Sequence, residues 1–174
     1  HLFFTKDMVE KYGTLLKVNP PVRTEMDRVA LVEGLKDGTI DMIATDHAPH
    51  TEADKQLGEF KSKSGLISIE TAFSVAIEKI YRENIMSMKD IIRCLSTNPR
   101  ALFGIKSPIA PGERADLVVL DKDAEYIYDH SYSKSKNTPL FGRKMIGKVL
   151  MTIKDGKVLY NDMKEDTRED RFNC

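Results

Sequence analysis

Residues 40–50 read Ile40-Asp41-Met42-Ile43-Ala44-Thr45-Asp46-His47-Ala48-Pro49-His50, and the reading of this run decides the fold. Ile40, Met42, Ile43 and Ala44 predict a buried strand, with Asp41 at its lip. Thr45, Asp46, His47 and, past Pro49, His50 predict a loop at the strand's carboxyl end, where α/β proteins place their chemistry. The chain has no second cluster of acid and imidazole of this density.

Immediately upstream, Thr24 reads as a helix N-cap, with Glu25 and Asp27 in the first turn where the helix dipole favours acids. Met26, Val29, Ala30, Val32 and Leu35 recur at helical spacing, and Gly38 is the expected stop. Helix, tight turn, buried strand and reactive loop make the αβ step of a parallel barrel or a doubly wound sheet, so the fold class is α/β. Further back, Leu15 to Pro21 (LLKVNPP) is expected to be extended, because two prolines forbid a continuing helix. Asn19 within it either presents a donor and an acceptor to a ligand or starts a turn. Thr5 is a candidate cap for one or two helical turns before Tyr12-Gly13. The opening HLFF has no Met and no leader pattern, so His1 is expected to be a cut point inside a longer chain, with no chemical role of its own.

Downstream, Glu52 to Lys63 is charged and contains Gly58, which fits a solvated loop or the rim of a site. Ile69, Ala72, Phe73, Ala76, Ile77, Ile80 and Tyr81 predict an amphipathic helix. Ser87 and Asp90 cap the next, with Ile91, Ile92 and Leu95 inward and Cys94 as an inert buried thiol. Asn98-Pro99 starts a short helix that Gly104 ends. After Pro111-Gly112 the pattern turns to strand: 115–120, 126–128, and then 148–153 and 157–160 around Asp155-Gly156, a type I′ hairpin signal. His130 lies in a polar loop and reads as a surface residue; Lys164 to Cys174 reads as a charged, frayed tail.

Lys plus Arg and Asp plus Glu balance at 27 each, so no global field argues for nucleic acid or an anionic membrane. No apolar run reaches the roughly 20 residues of a bilayer helix. Two cysteines in 174 residues make no disulfide framework, which points to a reducing, cytoplasmic setting.

An acid at a buried strand end must be paired, hydrogen-bonded or bound to a cation to stay ionised, so Asp46 is the leading chemical candidate, suited to metal coordination and proton transfer. Pro49 prevents His47 and His50 from lying together on a metal-binding helix, and spacing alone makes them no zinc motif. An imidazole here could instead bind an anionic substrate.

The run ATDHAPHT (44–51), preceded by KVNPPVR (17–23) and GLKDGTIDMI (34–43), resembles the signature region of dihydroorotases, amidohydrolase-superfamily enzymes of pyrimidine synthesis. The likeness extends from HLFFT (1–5) through TNPRALFG (97–104) and GERADLVVLD (112–121) to NTPLFGRKMIGKV (137–149). It implies the last strand and helices of a metal-dependent (β/α)8 barrel over 1–110, strands of an accessory β-sandwich over 111–163, and a tail over 164–174. It implies zinc-dependent, reversible closure of N-carbamoyl-L-aspartate to dihydroorotate, with Asp46 binding zinc and moving the proton. His50 matches a histidine that contacts the substrate carboxylate, Asn19 an asparagine that bonds the pyrimidine ring, and Ser64-Gly65 the position where backbone groups touch the same carboxylate. His47 matches no assigned role. The remaining ligands of the two-zinc centre are expected upstream of His1, in an N-terminal part of the same protein. A homo-oligomer or an aspartate transcarbamoylase is the implied protein partner. Two other readings stand beside this one: a non-catalytic dihydroorotase-like scaffold, and a related cyclic amidohydrolase of the hydantoinase or allantoinase type.

Overall fold

Helix ends are where local chemistry dictates local structure most directly. In the computed structural model, which describes residues 1–106 and 108–163, Thr24 caps helix α2 (Glu25–Asp37) through a reciprocal box. Its Oγ1 accepts from the Asp27 amide at 3.2 Å, while the Asp27 carboxylate accepts from the Thr24 amide at 3.0 Å. Gly38 ends the helix at φ 85°, a conformation that costs a residue without a β-carbon little. Ahead of α2 lie a 3-10 turn (Lys6–Met8), the short α1 (Val9–Tyr12) and a second 3-10 turn (Gly13–Leu16). The expected extended stretch therefore begins at Lys17 rather than Leu15, and Thr5 makes no side-chain cap.

The residues expected to form a loop at 52–63 instead fold as α3 (Glu52–Gln56) and α4 (Gly58–Lys61). Thr51 and Asp54 repeat the reciprocal cap of Thr24 and Asp27, and this local device is what nucleates the turn. Next come α5 (Ala72–Ala76) running into a π-helical turn (Ile77–Tyr81), and α6 (Met88–Ile92) running through a second π turn (Arg93–Thr97) into α7 (Asn98–Leu102). Asn98-Pro99 thus continues a helix rather than starting one. Ile69 lies in the turn before α5 and is 61% exposed, so it is not part of the buried stripe.

Residues 40–44 follow a bend, and no described segment runs beside them as a ladder partner, so they form no strand among the described residues. The expectation of a buried strand is corrected here, because a strand exists only by pairing. The segment is held by isolated bonds instead: Ile40 N–H donates to Gly34 O at 2.8 Å, Ile43 N–H to Cys94 O at 3.1 Å, and Asn98 Nδ2 to Asp41 O at 2.7 Å.

The described residues fall into two compact units, one of 1–106 with 122–148 and one of 108–121 with 149–163. In the first, Phe3, Phe4, Leu16, Val22, Tyr128, Leu140 and Met145 form one core, and Leu35, Ala76, Ile80, Ile91 and Cys94 form another, against which Ile40 and Ile43 pack. Burial raises the Cys94 thiol pKa, as suits an inert side chain. The predicted stripe of α2 is only partly covered: Val32 and Leu35 are buried, whereas Met26 is 83% exposed. Beside it an apolar hollow of about 590 Å³ is lined by Leu31, Leu35, Ile40, Met42, Ile43 and Ala44, among others.

Strands β1 (Leu117–Ile127) and β2 (Lys144–Lys154) each contribute to both units, and with β3 (Lys157–Asn161) they form a sheet in the order β1-β2-β3. In the second unit β2 and β3 pair antiparallel around Asp155 (φ 51°) and Gly156 (φ 74°), as the hairpin signal predicts, with a register shift between Thr152 and Ile153. The predicted tail at 164–174 lies outside the described residues. No described helix is long and apolar enough to cross a membrane.

Candidate functional site

The loop Thr45–His50 is held by its backbone, leaving its acid free. Ser68 Oγ donates to Thr45 O at 2.7 Å, and Ala48 N–H donates to Leu66 O at 3.0 Å. Between them Asp46 sits at φ 46°, in the left-handed region that aspartate tolerates better than most residues. Asp46 is exposed, and among the described residues no hydrogen bond or ion pair engages its carboxylate.

His47, which matched no family role, acts on the backbone. Its Nδ1 accepts from the amides of Ser68 at 3.1 Å and Ile69 at 3.3 Å, so in the neutral ring the hydrogen is on Nε2. Sequence spacing held no hint of this, since the partners lie 21 and 22 residues away.

His50 is half-buried, and its Nε2–H donates to Ser64 O at 2.9 Å. That leaves Nδ1, which can offer a proton to an anion only when the ring is protonated. Gly65 follows at φ 125°. A β-carbon there would stand 2.5 Å from Ala48 Cβ and 3.2 Å from His50 Nε2, so the two loops meet only because Gly65 has no side chain. Both Gly65 backbone groups are engaged internally: its N–H donates to Lys17 O at 2.9 Å, and its carbonyl accepts from Lys55 Nζ at 3.1 Å and Asn137 Nδ2 at 3.2 Å. Asn19 is exposed, two residues past Lys17, at a cis bond to Pro20. The structure therefore brings His50, Ser64 and Gly65 together, with the Lys17–Asn19 segment beside them through Lys17 O.

Two lysines brace this wall. Lys55 is 3% exposed and its ammonium donates to the carbonyls of Lys63 at 2.9 Å, Gly65 at 3.1 Å and Lys17 at 3.4 Å. Burial first, and then the charge of Lys17, lowers its pKa. Lys17 Nζ in turn donates to the carbonyls of Glu59 at 2.6 Å, Ser62 at 2.8 Å and Phe60 at 3.2 Å. Neither lysine carries a local sequence signal for this role, although the Thr51-x-x-Asp54 spacing that builds α3 and so carries Lys55 is a legible cap.

Among the described residues no three His, Cys, Asp or Glu side chains converge to hold a metal ion. His130 is exposed and packs edge-on against Tyr132 at 5.2 Å. The apolar hollow beside α2 includes neither Asp46 nor His50 in its lining.

Residues 11–159 match the model of the amidohydrolase family. The chain is 44% identical to a dihydroorotase of Aquifex aeolicus over 165 residues, which are 93% of this chain and 39% of that protein. It is 44% identical to a dihydroorotase of Caldanaerobacter subterraneus over 95% of this chain and 39% of that protein. The chain thus spans about two fifths of the length of these curated relatives. Among solved structures it resembles a dihydropyrimidinase from Brevibacillus agri (TM-score 0.84, 24% identity, 92% of this chain and 38% of that one). It also resembles an L-hydantoinase from Arthrobacter aurescens (TM-score 0.80, 27% identity, 91% of this chain and 37% of that one). The fold is accordingly part of an α/β barrel of their kind. With a family match across most of its length, the chain belongs to the amidohydrolase family.

Proposed function

We propose that the full-length protein carrying this chain is a dihydroorotase, closing N-carbamoyl-L-aspartate reversibly to dihydroorotate in the formation of pyrimidines. The observation that carries this reading is the 44% identity to dihydroorotases over 93% of the chain, against 22–27% to the hydantoinase and dihydropyrimidinase structures that share the fold. Residues 111–163 would supply strands of an accessory β-sandwich beside the barrel.

Ring closure joins the ureido nitrogen to the side-chain carboxyl carbon and releases water. The nitrogen must lose a proton and the departing oxygen must gain one, and Asp46 would carry it, a role that its exposed, unengaged carboxylate supports. His50, protonated at Nδ1 while Nε2 is tied to Ser64, would grip the carboxylate that remains on the ring. Asn19 would hydrogen-bond the ring amide. Because both Gly65 backbone groups are engaged, its part is to let His50 and Ala48 close on the pocket wall.

Amidohydrolases use metal ions in general. We take zinc as the metal, with Asp46 as one donor, and the described residues alone do not make the site. A cytoplasmic setting, and a homo-oligomer or an aspartate transcarbamoylase as protein partner, belong to the same reading. The test is turnover by the full-length protein: Asp46→Ala should lower kcat by about 10²-fold or more, and near-normal turnover by that variant would sink the assignment.

A further inference from the structure

Asn137 joins the two loops of the candidate site. Asn137 is 4% exposed, and apart from the nearby Ser135 its side-chain partners lie 72 to 89 residues away. Nδ2 donates to Ala48 O at 3.0 Å and to Gly65 O at 3.2 Å. Oδ1 accepts from His50 N–H at 3.2 Å and from the Ser135 hydroxyl, which also lies against the His50 carbonyl oxygen. The main chain adds a bond from Ile67 N–H to Asn137 O at 3.3 Å. A primary amide has two N–H donors and an oxygen with two lone pairs, so both donors are used and the oxygen takes the His50 N–H, with the one Ser135 hydroxyl hydrogen shared between this oxygen and His50 O. Its orientation is fixed as well, since a flipped amide would set NH2 against the His50 N–H and oxygen against two carbonyls.

We propose that Asn137 is a positioning residue that holds the His50 loop and the Ser64–Gly65 loop in one register, and thereby shapes the face that grips the substrate's carboxylate. The inference rests on the dihydroorotase reading. Ser64 O anchors the His50 ring at Nε2, so the ring's aim depends on where residues 64–65 lie relative to the His50 backbone. Asn137 bonds His50 N–H on one side and, on the other, the carbonyl of Gly65, one peptide beyond Ser64.

The test is ligand binding by the full-length protein and its Asn137→Ser variant, with orotate and with uracil, the same ring lacking the carboxylate. Orotate should bind at least about tenfold more weakly to the variant, while uracil changes by less than about twofold. An equal loss for both rings, or no loss for either, would overturn the proposal. Should the unaltered protein bind orotate no better than uracil and turn over no dihydroorotate, the functional reading falls by itself. The register is then decided by hydrogen exchange at two amides that do not touch Asn137, those of Gly65 and Ala48. Exchange at least about tenfold faster in Asn137→Ser, with α2 unchanged, supports the coupling, and unchanged exchange overturns it.

Discussion

Gly65 and Ala48 approach so closely that a β-carbon on Gly65 would lie 2.5 Å from that of Ala48, at a backbone φ of 125°. This contact ties the loop carrying Asp46 and His50 to the loop carrying Ser64.

Gly65→Ala therefore meets two penalties, an unfavourable backbone conformation and a clash with Ala48. It should cost roughly 2–4 kcal/mol, seen as a lowered midpoint in urea or heat. Ala48→Gly in the same protein should recover the steric part alone, and the double-mutant cycle separates the two. Full stability of Gly65→Ala would mean that the loops do not meet as described.

Lys55 is the second brace. Replacing it with Met keeps the stem and removes the donor from the carbonyls of Lys17, Lys63 and Gly65. The loss should be roughly 1–3 kcal/mol by denaturant titration, because three carbonyls lose a charged donor while Lys17 O keeps the Gly65 N–H and Gly65 O keeps Asn137 Nδ2. A neutral outcome would show that water or another donor reaches those oxygens.

In the β2–β3 unit, Asp116 accepts from the Asp155 amide and from Lys154 Nζ, each at 2.8 Å, and pairs with Arg114 at 2.7 Å. The amide bond first, then the lysine bond, holds its pKa down to about 2 from 3.8. A depressed carboxylate stabilises the folded form above the unfolded value, and that contribution is lost as pH falls from about 4 through about 2. Asp116→Asn should flatten the acid limb of this unit's stability, followed by exchange of the hairpin amides. An unchanged limb would place the acid sensitivity elsewhere.

Much of this architecture is written in short-range chemistry. Thr24 with Asp27, Ser87 with Asp90 and Asp155-Gly156 each act within a few residues, so their caps and turn could be read directly from sequence. Thr51 with Asp54 has the same spacing, but the charge of 52–63 masked it as loop. Residues 40–44 carry a strand pattern, yet no described segment pairs with them. Asp46 and His50 stand out locally as an acid and an imidazole. Asn137, Lys55 and the backbone role of His47 do not, since each is defined by partners well removed along the chain or by carbonyls that carry no sequence signature.

The central claim is tested most directly by the specificity of the purified full-length protein toward dihydroorotate, hydantoin and dihydrouracil. The dihydroorotase reading expects kcat/KM for dihydroorotate to exceed both others by at least about 10²-fold, because a site built to grip a carboxylate loses that interaction with the other two rings. Faster turnover of hydantoin or dihydrouracil would move the protein to the hydantoinase type, and turnover of none of the three would favour a non-catalytic scaffold.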